Sequence, residues 1–90
     1  MTTVSLSDVH AAHARIASGI YRSPCPPSIP LSDLTGCQVF CKLDLLQRTG
    51  SFKERGARNA LLLLDDAEKV RGVVAASAGN HALGLAYHGK

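Results

Sequence analysis

Ninety residues, 46% of them hydrophobic, with no tryptophan and a net charge of +3, describe a globular segment rather than a disordered one. The basic residues are spread along the chain, which argues against nucleic acid, and no apolar run reaches membrane-span length. The polar start Met1-Thr2-Thr3-Val4-Ser5 does not read as a secretory signal, and three cysteines without metal-type spacing point to reduced thiols, a cytoplasmic setting and no metal site.

Ser5 and Asp8 can form a capping box for a first helix with the apolar stripe Val9, Ala12, Ile16 and Ala17, ended by Gly19. Pro24, Pro26, Pro27 and Pro30 keep residues 22–30 extended and unable to donate regularly to a ladder. A short turn of helix around Ser32 to Thr35 stops at Gly36. Residues 37–43 alternate Val39, Cys41 and Leu43 with Gln38, Phe40 and Lys42, which predicts a half-buried strand. Cys37 and Cys41 are expected to pack on one side of it. Ser51 reads as an N-cap, with Glu54 completing a capping box for a helix reaching about Asp66. Its face of Ala57, Ala60, Leu61 and Leu64 is widened by Leu62 and Leu63 almost to full burial. The run Val73-Val74-Ala75-Ala76 predicts a strand covered on both faces. A loop at Ser77-Ala78-Gly79-Asn80-His81 then leads into a helix from Ala82 to His88.

The order helix, strand, helix, strand, helix predicts an α/β fold with a parallel sheet flanked by helices. Two legible strands leave both sheet edges open, so the chain is expected to be the N-terminal part of a larger protein, its sheet incomplete here. Residues 1–36 form a helix and a proline-rich segment; residues 37–90 form a first βαβα portion.

Chemistry concentrates at two places. Lys53 falls in the first turn of its helix, near the positive end of the dipole and two residues from Arg55, a setting that favours a free amine able to form a Schiff base. An ordinary solvated lysine on a capped surface helix has the same local sequence. The loop Ser77–His81 follows a strand and opens a helix, so its N–H groups can capture a phosphate or carboxylate. A plain strand-to-helix turn, tightened by Gly79 and capped by Asn80, is the simpler alternative. The segment Gly84-Leu85-Ala86-Tyr87-His88-Gly89-Lys90 also fits the opening of a nucleotide-binding P-loop, although it continues the helical pattern of Ala82, Leu85 and Ala86.

Taken in order and spacing, Thr49-Gly50-Ser51-Phe52-Lys53-Glu54-Arg55-Gly56-Ala57 and Ser77-Ala78-Gly79-Asn80-His81 resemble the fold-type II pyridoxal-phosphate enzymes. Within that group they resemble the threonine/serine dehydratase and serine racemase family. Leu34-Thr35-Gly36, Val39 to Leu43 and Arg71 to Ser77 read like the same family's text, so the resemblance covers nearly all of the chain.

The resemblance implies that Lys53 holds pyridoxal 5'-phosphate and later removes the substrate α-proton. It implies that Phe52 packs against the cofactor ring and that Asn80 hydrogen-bonds the ring hydroxyl. Ser77, Ala78, Gly79 and His81 would form the loop for the substrate carboxylate. Glu54 departs from the family pattern, in which an apolar residue usually follows the lysine. Ala78 stands where serine racemases of the family typically carry a second serine, the acid/base on the opposite cofactor face; an alanine cannot transfer a proton. Elimination needs only α-proton removal, loss of the β-hydroxyl and an electron sink.

The resemblance thus implies a threonine or serine ammonia-lyase (dehydratase) that converts a small hydroxy amino acid to a 2-oxo acid and ammonia. The 37–90 portion would be the start of the cofactor-binding catalytic domain, in a homo-oligomeric parent enzyme. A serine racemase, a 3-hydroxyaspartate dehydratase, an inactive fragment and a non-catalytic amino-acid-binding relative are the alternatives. The family's glycine-rich phosphate loop, its pyridine-facing residue and the acidic metal site of many members lie downstream of such a region.

Overall fold

A computed structural model describes residues 3–90. The first helix, α1 (Leu6–Ile16), carries the expected capping box: Ser5 Oγ accepts from Asp8 N, and Asp8 Oδ2 accepts from Ser5 N at 2.8 Å. A 3-10 turn over Ala17–Gly19 ends it. Ser28 caps α2 (Ile29–Thr35), and Gly36 closes it at φ 72°, a left-handed conformation suited to glycine. Then come a 3-10 turn, Asp44–Leu46, and the helices α3 (Lys53–Leu62), α4 (Asp66–Arg71) and α5 (Asn80–His88).

The two expected strands do not form among the described residues. Residues 37–43 instead lie antiparallel to the proline-rich segment, with a single isolated bridge between Pro27 and Phe40. Ser28 N donates to Val39 O, Cys41 N to Pro26 O and Leu43 N to Pro24 O, at 2.8–3.0 Å. The reciprocal bonds of this ladder are missing for a covalent reason: Pro24 and Pro26 have no N–H, and Val39 N donates to Ser32 Oγ instead. The prolines accept but cannot donate. Residues 73–78 take no regular structure, and Val74 is fully exposed. The expectation that this run is covered on both faces therefore fails within this chain, as does the packing role expected of Cys37, which is exposed.

Three helix boundaries and one burial also differ from expectation: α2 begins at Ile29 rather than near Ser32, and α5 at Asn80 rather than Ala82. The helix reaching Asp66 is broken at Leu63–Leu64, because Asp65 caps a separate helix, α4, in a capping box with Glu68. Leu62 and Leu63, expected to be nearly buried, are exposed.

What holds the chain together is mostly polar. The buried apolar residues are Ile16 and Ala57, whereas Ser23, Gln47, Ser51 and Glu54 are all buried polar residues. The radius of gyration, 15.8 Å, exceeds the ~12 Å expected of a compact domain of this length. The chain does not close a large core of its own. Instead α3 packs on α5 and on α1. Arg58 of α3 clips the end of α1, donating to Ile16 O and Ser18 Oγ, both at 3.2 Å. Its guanidinium lies where any side chain on Gly19 would sit. A second clasp centres on Asp44, which accepts from Ser23 Oγ at 2.6 Å, from Gln47 Nε2 at 3.2 Å and from Arg55 at 2.7 and 3.1 Å. Gln47 also exchanges two hydrogen bonds with the backbone of Tyr21, imitating a strand partner. No helix among the described residues is long and apolar enough to cross a membrane.

Candidate functional site

The start of α3 is built so that neighbouring side chains point opposite ways. Gly50, at φ 82°, turns the chain into the helix. Ser51 is buried, and its Oγ accepts from Lys53 N at 3.3 Å. Phe52 occupies the N-cap position without a side-chain cap bond, so the capping box expected between Ser51 and Glu54 does not form. Glu54 reaches further back. Its Oε2 accepts from Thr49 N at 2.6 Å and from Thr49 Oγ1 at 3.0 Å, while Oε1 meets His88 Nε2 at 2.9 Å. Because a carboxylate only accepts, His88 Nε2 carries the proton in this contact. Burial alone would push the Glu54 carboxyl up, but the donors from Thr49 and His88 outweigh it and hold the group below its ordinary value.

Lys53 points the other way and is exposed. Its Nζ lies 5.0 Å from the centroid of the Phe52 ring. Among the described residues it makes no ion pair. Arg55, expected to bear on that amine, is bound to Asp44 instead. The Arg55 guanidinium holds the Asp44 carboxyl well below the usual carboxylate range, and Asp44 raises Arg55 in return.

The loop 77–81 is exposed throughout. Gly79 is the N-cap of α5, and Ser77 Oγ, rather than Asn80, satisfies its first turn, accepting from Gly79 N and Ala82 N, both at 3.2 Å. That leaves the Asn80 amide and the His81 ring without hydrogen-bond partners among the described residues. The Ala78 methyl offers no proton donor or acceptor.

The two places meet through α5. Gly84 is buried against the first turn of α3; a Cβ there would stand 3.3 Å from Lys53 C, Lys53 O and Glu54 N. Asn80, Gly84 and His88 are spaced i, i+4, i+8 and so share one face of α5. With His88 on the Glu54 carboxylate and Gly84 on the Lys53–Glu54 backbone, Asn80 continues the row toward the open end of α3. Lys53 and Phe52 at the start of α3, and Asn80 one turn before Gly84 on α5 with the loop 77–81 beside it, make up the candidate corner. Gly84 buried in mid-helix also rules out a P-loop at residues 84–90, since that backbone cannot curl around phosphates. The Glu54–His88 contact and the role of Gly84 were not among the expectations; the i, i+4, i+8 spacing of Asn80, Gly84 and His88 was the available signal.

A cleft of about 470 Å³, lined in part by Arg58, Leu61, Leu62, Lys69, Val73 and Lys90, lies along the opposite part of α3 and α4, away from the Lys53 amine. His88 also lines it, so the cleft reaches the partner of Glu54, but Phe52, Lys53 and residues 77–81 do not line it. Among the described residues, no group of three or more His, Cys, Asp or Glu side chains could hold a metal.

Comparison with known proteins gives the class. The model of the pyridoxal-phosphate dependent enzyme family matches residues 16–90, and the chain belongs to that family. It is 43% identical over 90 residues to the serine racemase of Dictyostelium discoideum, covering 100% of this chain and 28% of that protein. It is 49% identical over 82 residues to the catabolic L-threonine dehydratase of Escherichia coli, covering 91% of this chain and 25% of that one. Among solved structures, maize serine racemase superposes with a TM-score of 0.85 at 35% identity, over 98% of this chain and 28% of that one. The chain thus spans about a quarter of the length of the curated relatives it matches.

Pyridoxal phosphate is the cofactor of this family, and the corner suits it. An amine without an ion pair is available to a carbonyl, an aromatic ring lies beside it, and a free side-chain amide stands on the adjoining helix. The neighbouring carboxylate of Glu54 is turned inward and fully occupied.

Proposed function

We propose that the whole protein is a pyridoxal-phosphate-dependent ammonia-lyase that eliminates water from L-threonine or L-serine, giving a 2-oxo acid and ammonia. Residues 37–90 are then the opening of its catalytic domain, and the family's parallel sheet forms when the rest of the protein pairs with 37–43 and 73–76. The exposed Val73 and Val74 support that reading. Within the site Lys53 holds the cofactor and takes the α-proton on its Nζ. Phe52 packs beside the ring, and Asn80 donates to or accepts from the ring hydroxyl. The loop of Ser77, Ala78, Gly79 and His81 receives the substrate carboxylate through its backbone and the side chains of Ser77 and His81, at the N-terminus of α5, where the positive end of the helix dipole favours an anion. Bound pyridoxal phosphate supplies the electron sink that lets a proton leave the α-carbon and hydroxide leave the β-carbon.

One observation favours elimination over inversion. The loop carries a methyl group at Ala78, between Ser77 and Gly79, so this position offers no second acid/base for returning a proton to the opposite face. The resemblance to a serine racemase keeps inversion as the second reading. The full-length enzyme is expected to form 2-oxobutanoate from L-threonine. Production of D-serine from L-serine without any keto acid would overturn the assignment in favour of the racemase, and 2-oxo acid formed only from 3-hydroxyaspartate would reassign the substrate.

A further inference from the structure

Glu54, one position after Lys53, is the most deeply buried large side chain among the described residues. Its single carboxylate joins three pieces of backbone. Oε2 holds Thr49 in the turn that leads into α3; the residue itself sits one position after Lys53; and Oε1 meets His88 in the last turn of α5, whose side chain is 4% exposed. No buried polar side-chain atom around it lacks a partner among the described residues.

The consequence for the site comes from helix geometry. A helix laid against another with only small side chains at the contact can slide along it, and Gly84 provides no knob to stop α5 sliding on the Lys53–Glu54 backbone. His88, one turn further on, provides the stop. A residue rises 1.5 Å along a helix, so Asn80 lies eight residues, about 12 Å, from His88 on the same face. Whatever fixes His88 on Glu54 therefore fixes how far Asn80 and the loop 77–81 project past Lys53.

We propose that Glu54 and His88 are positioning residues, a buried latch that sets the register of α5 on α3 and thereby the placement of Asn80 and the loop 77–81 relative to the Lys53 amine. This rests on the assignment of Lys53 and Asn80 to the cofactor site. The latch touches neither cofactor nor substrate; it acts through the two helices.

The test uses the full-length holoenzyme with four variants: Glu54→Leu, His88→Ala, His88→Gln and the double variant Glu54→Leu/His88→Leu. Gln can place an N–H near the position of the histidine Nε2, so it keeps the latch; Ala and Leu remove it. The readouts are cofactor dissociation constant, position of the cofactor absorbance band, kcat against KM, and melting temperature. Glu54→Leu and His88→Ala are expected to weaken cofactor binding about tenfold or more, to shift the band and to lower kcat more than they raise KM. His88→Gln should recover most of that loss. The double variant, with both buried partners made apolar, should regain thermal stability while leaving cofactor affinity and kcat impaired. If cofactor affinity, band and kcat stay within twofold of wild type in His88→Ala while only the melting temperature falls, the pair is merely structural and the proposal is overturned. The same follows if His88→Gln fails as badly as His88→Ala. Should Glu54→Leu not fold, the Ala and Gln variants of His88 carry the same contrast. A wild-type protein with no cofactor on Lys53 would instead refute the reading of the site itself, a separate result.

Discussion

Two glycines in helical conformation, Gly56 in α3 and Gly84 in α5, should respond in opposite directions to the same substitution. On propensity alone, Gly→Ala inside a helix stabilises by ~1 kcal/mol, because glycine loses more backbone freedom on folding. At Gly56 a Cβ meets nothing within 4 Å, so Gly56→Ala should keep that gain. At Gly84 the Cβ stands 3.3 Å from three backbone atoms of Lys53 and Glu54. Backbone cannot rotate away as a side chain can, so the helices must separate by a few tenths of an ångström. Overpacking of this kind costs about 1–3 kcal/mol, which cancels or exceeds the gain. The two variants should therefore differ by about 1–3 kcal/mol in stability, with Gly84→Ala the weaker. With a urea slope of ~1–3 kcal/mol/M the midpoints of unfolding should separate by roughly 1 M. Far-ultraviolet circular dichroism across a urea titration reads this directly. If Gly84→Ala raises the midpoint as much as Gly56→Ala does, the close approach of α5 to the Lys53 backbone is wrong.

The Asp44 clasp should show in the pH dependence. Its folded-state carboxyl is held below the ordinary value by Arg55, so the stability it contributes is present above the unfolded pKa of ~3.9 and is lost as pH falls below that. Asp44→Asn should cost about 1–3 kcal/mol at neutral pH and flatten the loss below pH ~4; an acid titration as steep as wild type would contradict this. Ser77→Ala removes the acceptor shared by Gly79 N and Ala82 N and should cost ~1 kcal/mol, with a rise in substrate KM measured on L-threonine. Asp65→Ala breaks the capping box of α4 and should cost a similar ~1 kcal/mol without touching cofactor affinity, a difference that equilibrium dialysis resolves.

Helices were the legible part of this chain, because their signals are local. The Ser5–Asp8 box, the stop at Gly36 and the helix closing on His88 all stand where the residues put them. Strands were not, because a strand is completed by what pairs with it. Residues 37–43 alternate correctly, yet their partner is a segment whose prolines have no N–H to return. Residues 73–76 are apolar enough for a covered strand but meet no cover within the chain. At the proposed site, Lys53 and the loop 77–81 were singled out from motif text. The fate of Glu54 could not, since its partners are a backbone N–H five residues back and a histidine 34 residues on. A capping-box pattern names the usual partner; here the turn at Gly50 brings Thr49 closer than Ser51.

Lys53 is proposed to carry the cofactor. Reduction of the holoenzyme with borohydride, followed by peptide mass mapping, tests it most directly. A phosphopyridoxyl group is expected on Lys53, and should disappear, with the visible absorbance band, in Lys53→Ala. A label on Lys42, Lys69 or Lys90 in its place, or a band that survives in Lys53→Ala, would contradict it.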